Sequence, residues 1–196
     1  MTSLVSGAEP GFEPIEGYIL RERIGSGGYG EVWLADAPGG LQKAIKFVFG
    51  SVDARAGNEL RALQRIRAVH HPFILSLERI EIVDNQLIVV TELADGSLLD
   101  RFQEFHQRGL VGIPRNRLLE YLRDTADALD FLCQRHDLQH LDVKPANLLL
   151  VADRVKVGDF GLIKDLQNKS MSVMSGMTPT YAAPEMFDGR PGRASD

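Results

Sequence analysis

A glycine-rich run, Gly25-Ser26-Gly27-Gly28-Tyr29-Gly30, is followed by alternating residues and not by a helical pattern. No other feature of the chain limits its fold as much. Glycines let a backbone approach phosphate oxygens with no side chain in the way. The same run opening a helix would read as a dinucleotide-binding turn. Here Glu31-Val32-Trp33-Leu34 continues as a strand, which places the glycines at a bend between two strands. An ordinary hairpin turn is the plainer reading of the run taken alone. Three polar clusters follow in order: Lys46, then Asp142-Val143-Lys144-Pro145-Ala146-Asn147, then Asp159-Phe160-Gly161. Together they offer a cover for phosphates, a cation, a carboxylate for a hydroxyl proton, and oxygen ligands for a hard cation.

Short alternating segments flank the glycines at Tyr18 to Ile24 and Glu31 to Ala37, and Lys43 to Phe49 reads as a third strand. Leu60, Leu63 and Ile66 recur at helical spacing from about Asp53 to Arg67, with Ser51 or Asp53 as N-cap. Ile74 to Val83 and Gln86 to Leu93 read as strands of a hairpin across Asp84-Asn85. After Asp95-Gly96-Ser97, helical character dominates. Arg117 to Gln134 puts Leu118, Leu122, Ala126, Leu129 and Leu132 on one stripe, read as a core helix. Short strands follow at Leu148 to Val151 and Arg154 to Val157, and the Ser-, Thr-, Met- and Gly-rich end reads as a long functional loop. The expected class is α+β, preceded by a flexible leader over residues 1–16.

At 196 residues and 44% hydrophobic, the chain has room for a real core and carries no repeat. A net charge of −5 argues against a general nucleic-acid binder. The single cysteine, Cys133, cannot form an internal disulfide and reads as a buried thiol in a reducing compartment. No apolar run approaches the ~18 residues needed to span a bilayer, and the N-terminus lacks a signal pattern. A cytoplasmic location is expected, with room for a membrane anchor beyond Asp196.

In this order the motifs resemble the catalytic domain of eukaryotic-like serine/threonine protein kinases, in a style similar to bacterial members, from about Tyr18 onward. The resemblance implies a protein kinase-like bilobal fold. Residues 17–94 would be the N-lobe, a small antiparallel β-sheet with one helix. Residues 95–196 would be the first part of a mainly helical C-lobe, with catalytic loop, activation segment and the start of the central helix. It implies ATP with Mg²⁺, Mn²⁺ being an alternative, and a protein substrate with a Ser or Thr acceptor. Ile24, Gly25, Gly27 and Gly30 would cover the nucleotide, and Val32, Ala44 and Leu149 would sandwich adenine. Thr91 would be the gatekeeper and Glu92 to Ala94 the hinge. Ala44-Ile45-Lys46 matches the family's V-A-I-K strand apart from Lys43. Lys46 would reach the α/β-phosphates, held by Glu59. Asp142 would orient or accept the hydroxyl proton, Lys144 would steady the γ-phosphate, and Asn147 and Asp159 would bind magnesium. Thr178-Pro179-Thr180-Tyr181-Ala182-Ala183-Pro184-Glu185 resembles G-T-P-x-Y-x-A-P-E, with Met177 for the first Gly. Thr178 would contact the catalytic Asp and Lys, favouring Ser or Thr acceptors. Leu63, Leu77, His140 and Phe160 would stack as a spine, with His140 in the core and not a base. Taken singly, Lys46 and Glu59 are ordinary surface charges, and Asp142 and Asn147 ordinary turn residues.

Two departures matter. His140-Leu141-Asp142 replaces the family's His-Arg-Asp, and a leucine cannot receive a phosphate on the activation loop. Activity is therefore expected not to need phosphorylation of Ser170, Ser172, Ser175 or Thr180. The sequence also stops at Arg193-Ala194-Ser195-Asp196, which resembles the start of the central helix, where Asp196 would anchor the catalytic loop. The 196-residue polypeptide alone is expected to be marginal or aggregation-prone, through exposed apolar patches, and inactive as a fragment. The other readings are an ATP-binding pseudokinase or scaffold module, favoured by Leu141 and the short length, and a small-molecule kinase, disfavoured by Thr178 and Ala183-Pro184-Glu185.

Overall fold

The computed structural model describes residues 8–27, 30–48, 56–160, 164–165, 178–189 and 191–196, without the side chains of 56–59, 61–62 and 164–165. Gly28, Tyr29, Phe49, the candidate caps Ser51 and Asp53, Gly161, and the hydroxyls Ser170, Ser172 and Ser175 lie outside the described residues. The chain forms two compact units: residues 1–68 with 76–93, and residues 69–75 with 94–196.

The first unit is a five-stranded antiparallel sheet in the order β1-β2-β3-β5-β4. Its strands are β1 (Ile19–Gly27), β2 (Gly30–Ala37), β3 (Leu41–Val48), β4 (Leu77–Val83) and β5 (Gln86–Glu92). Helix α1 (Ala56–Arg67) lies against β4. The β4–β5 turn holds Asp84 and Asn85 at φ 48° and 63°, the doubly left-handed turn that matches strand twist and that Asp and Asn tolerate. Ile74 does not extend β4; it bridges to Val157 in the second unit's own fold.

Alternation sends Trp33, Ala35, Ile45, Phe47, Ile88 and Val90 to one face, where they form a buried cluster with Leu20 and Ile15. Burying a side chain of Ile15's size contributes about 2 kcal/mol. The expected flexible leader therefore reaches too far, because residues 8–16 belong to this unit. Gly11 N–H donates to the Leu20 carbonyl at 2.8 Å, and Leu20 N–H to the Phe12 carbonyl at 2.9 Å. The Gly and Pro content that read as disorder instead builds turns, with Gly11 and Gly17 at φ 90° and 83°.

The second unit holds α2 (Leu98–Gln107), α3 (Arg115–His136) and a short α4 (Pro184–Phe187). Two small sheets carry β6 (Gly96–Ser97), β8 (Leu148–Val151) and β9 (Arg154–Val157), and β7 (Leu138–Gln139) with β10 (Lys164–Asp165). Ser97 and Asp100 close a reciprocal capping box at the start of α2. The expected stripe on α3 is displaced. Of its members Leu132 is buried, Leu118 and Leu129 are half-buried, and Leu122 is 46% exposed, while Tyr121, Asp124, Thr125 and Ala128 complete the buried face. The buried face packs on β9, where small Thr125 and Ala128 allow close approach. Its polar members are satisfied: Thr125 donates to the Tyr121 carbonyl at 2.8 Å, and Arg154 pairs with Asp124 at 3.0 Å. Hydrophobicity alone could not rank such a face first. Cys133, expected to be buried, is half-buried, with its sulfur 3.9 Å from the Arg193 guanidinium.

Candidate active site

Each unit carries part of the expected constellation. In the first, β2, β3 and β5 set Val32 opposite Lys46, Leu34 opposite Ala44, and Ala44 opposite Thr91. These residues occupy the sheet face opposite Trp33, Ile45 and Val90. Lys43, which interrupts the V-A-I-K match, falls on the other face from Lys46 and pairs with Glu78 at 2.5 Å. Glu92 is fixed at the end of β5. Its N–H donates to the Ser76 carbonyl at 3.1 Å, and its carboxylate accepts from Ser76 N–H at 2.7 Å. Glu59 lies in α1, but its side chain is outside the described residues.

The three expected glycines differ in kind. Gly30 has φ 155°, and a Cβ there would sit 2.0 Å from the Phe47 carbonyl oxygen. The neighbouring strand itself demands this glycine. A Cβ on Gly25 would meet only Val32 at ordinary contact distance, and one on Gly27 would meet nothing within 4 Å. Packing among the described residues does not require either of them. Ile24, beside them on β1, is 48% exposed.

In the second unit Asp142, Lys144, Asn147 and Thr178 form one network. Lys144 Nζ lies 2.7 Å from Asp142 Oδ2 and donates to Thr178 Oγ1 at 2.7 Å. Asn147 Nδ2 donates to Asp142 Oδ2 at 2.9 Å and to the Asp142 carbonyl at 2.8 Å. Both anchoring donors to the carboxylate thus use Oδ2, and Asp142 is 5% exposed. The Asn147 amide is oriented by those bonds, so its remaining acceptor is Oδ1. Ala94 and Leu149 also belong to this unit, with Leu149 on β8.

The network rests on buried supports. His140 is fully buried; its Nε2 donates to the Gly158 carbonyl at 2.7 Å, and its Nδ1 accepts from Asp142 N–H at 3.3 Å. That pattern fixes the neutral tautomer with the proton on Nε2, a structural histidine and no base. Phe160 lies against it, ring centroids 5.4 Å apart. Leu63 and Leu77, the other two expected stack members, are buried in the first unit. Asp196 accepts from His140 N–H at 2.8 Å and Leu141 N–H at 2.6 Å, holding the loop while Leu141 adopts φ 63°. Asp159 also lies in the left-handed region, at φ 55°.

Three contributors escaped the sequence reading. Gly158 packs so closely that a Cβ would meet Leu149 at 2.9 Å; a glycine at a strand end was the available signal. Gln139, fully buried, donates to the Gly192 carbonyl. Ser195 donates to Glu185 at 2.5 Å and holds that carboxyl below its usual range. Nothing in residue type marked the last two. Among the described residues no three His, Cys, Asp or Glu side chains converge as a metal site, and no helix is long and apolar enough to cross a membrane. The Asn147 amide oxygen is a donor of the kind a hard cation accepts.

The protein kinase domain family matches residues 18–196. The chain is 31% identical over 183 residues to the SNF1-like protein kinase ssp2 of Schizosaccharomyces pombe, covering 88% of this chain and 30% of that one. It is 31% identical over 188 residues to the human serine/threonine-protein kinase ULK3, covering 91% and 39%. It is 35% identical over 182 residues to the CBL-interacting serine/threonine-protein kinase 7 of Arabidopsis thaliana, covering 88% and 41%. The chain thus spans well under half the length of these relatives. Its own match runs almost end to end, and the chain belongs to the protein kinase domain family.

Proposed function

We propose that this chain carries out ATP- and magnesium-dependent transfer of a phosphoryl group to Ser or Thr hydroxyls of a protein substrate. The observation that carries this reading is the Asp142–Lys144–Asn147–Thr178 network. Asp142, pinned through Oδ2, keeps Oδ1 for the acceptor hydroxyl, whose proton it takes. The hydroxyl oxygen forms a bond to the γ-phosphorus as the bond to the β-phosphate oxygen breaks. Lys144 offsets charge gathering on the transferred group. Thr178, bonded to Lys144, would favour a short Ser or Thr acceptor. Asn147 and Asp159 would hold magnesium, which would supply charge neutralisation on the phosphates.

In the same reading the first unit supplies the nucleotide contacts. Lys46, with Glu59 as its expected partner, would hold the α/β-phosphates, Gly25 and Gly27 would admit phosphate oxygens, and Ile24, Val32 and Ala44 would meet adenine. Thr91 would limit how deep the base reaches, and Glu92 would bond it through its backbone. A net charge of −5 fits a protein partner better than nucleic acid. We place the reaction in the cytoplasm, where ATP is available.

Asp142→Asn is the test. The amide keeps the shape and loses the proton acceptor, so turnover should fall by about 10³-fold or more while ATP affinity stays within about twofold. ATP binding by the unaltered protein with no phosphate transferred to any Ser/Thr peptide would instead make it a nucleotide-binding module.

A further inference from the structure

The family match begins at residue 18, and residues 8–18 carry structure of their own just ahead of it. Ile15, 6% exposed, closes the buried cluster over Trp33, Ile45, Phe47 and Val90, with Ala8 and Tyr18 at its margin. An antiparallel bridge joins Ile15 to Tyr18, and the Tyr18 ring lies under the Arg79 guanidinium at 5.9 Å. Gly17 N–H donates to Glu13 at 2.6 Å, and a Cβ on Gly17 would sit 2.8 Å from the Pro38 ring in the β2–β3 turn. The segment is thus attached at four places: the outer edge of β1, the buried face, the β2–β3 turn and β4.

The strand it holds is the one that carries Gly25 and Gly27. β1 is an edge strand, paired on one side by β2 alone. Its register slips twice, between Leu20 and Glu22 and between Arg23 and Gly25, so ladder bonds constrain it weakly. On the opposite edge, the bonds from Gly11 and to Phe12 hold it at Leu20. The clamp covers one sheet face, and Val32, Ala44 and Lys46 occupy the other.

We propose that residues 8–18 are an intramolecular clamp that fixes the glycine-bearing strand, which makes Ile15 and Gly17 positioning residues for nucleotide binding. The inference rests on the nucleotide reading of Gly25 and Gly27 given above. Trp33, the single tryptophan, lies in the clamped cluster and reports its closure directly.

The experiment compares the whole chain with its Ile15→Asp, Ile15→Val and Gly17→Ala variants by Trp33 emission, backbone amide exchange and peptide phosphorylation. Ile15→Asp should red-shift Trp33 and speed exchange along Ile19–Gly27 while sparing β4–β5. It should also raise KM for ATP about tenfold with kcat within about twofold. Ile15→Val should restore all three. A shifted Trp33 emission with unchanged β1 exchange overturns the proposal, as does an equal loss in kcat with KM unmoved. Should Ile15→Asp fail to fold, Gly17→Ala carries the same readouts with a smaller insult. If the unaltered chain binds no ATP, the functional reading fails separately, and amide exchange alone decides the clamp.

Discussion

The two units hold their functional residues in opposite ways. In the second, Asp142 is buried, gripped by Lys144 and Asn147, and backed by His140 and Asp196, so its position is fixed before anything binds. In the first, the glycines proposed to admit phosphate sit on an edge strand with two register slips, where a Cβ on Gly25 or Gly27 would meet no close contact among the described residues. A group that must meet developing charge benefits from preorganisation, because its reorientation cost is met during folding. A group that must admit and release a ligand benefits from slack. The contrast predicts that damage in the second unit registers in folding and kcat, and damage in the first in KM.

Asp196→Ala is the most severe test of that division. It leaves two backbone N–H groups, at His140 and Leu141, without their acceptor. About 2–4 kcal/mol of stability should be lost, and kcat should drop by about 100-fold through displacement of Asp142. Urea unfolding and steady-state kinetics measure both. A stable, fully active Asp196→Ala variant would mean that the loop holds itself and the contrast is wrong.

The glycines sharpen the comparison inside a single motif. Gly30→Ala drives a Cβ into the Phe47 carbonyl and should cost about 2–3 kcal/mol. Gly25→Ala and Gly27→Ala remove backbone entropy from the unfolded chain and meet no clash, so they should be neutral or stabilising by up to about 1 kcal/mol. Their effect should appear as a higher KM for ATP. Thermal melts of the three variants decide it: equal losses would show that all three glycines serve packing.

What could be read from the sequence follows the same physics. The strand after the glycines, the Asp84-Asn85 turn and the Asp142–Asn147 contact depend on local chemistry, which residue type carries openly. The buried face of α3 depends on which neighbour it meets. Thr125 and Ala128 are buried for their small size and Asp124 for its arginine partner, so a stripe drawn through the leucines meets the fully buried face only at Leu132. Residues 8–16 misled for a related reason: a Gly- and Pro-containing stretch gives no periodic signal when its order comes from one isoleucine and a few turn bonds. Gln139 acts through Gly192, more than fifty positions away, and Ser195 through a contact with Glu185 that residue type alone does not announce.

The smallest expected effect concerns the activation segment. In the family pattern an arginine before the catalytic aspartate pairs with a phosphate and orders that segment; here the position is Leu141. Its side chain is 3% exposed and its backbone is left-handed, with Asp196 bonded to its N–H. It offers a phosphate neither charge nor surface. The lysine that reaches Thr178 comes from within the Asp142 network, so that end of the segment is tied down without any modification. Replacing Ser170, Ser172, Ser175 and Thr180 together by Ala should therefore leave kcat and KM within about twofold of the unaltered protein. A loss restored by acidic residues at the same four positions would show that some other cation receives a phosphate, and that slack in the second unit is merely located in its activation segment.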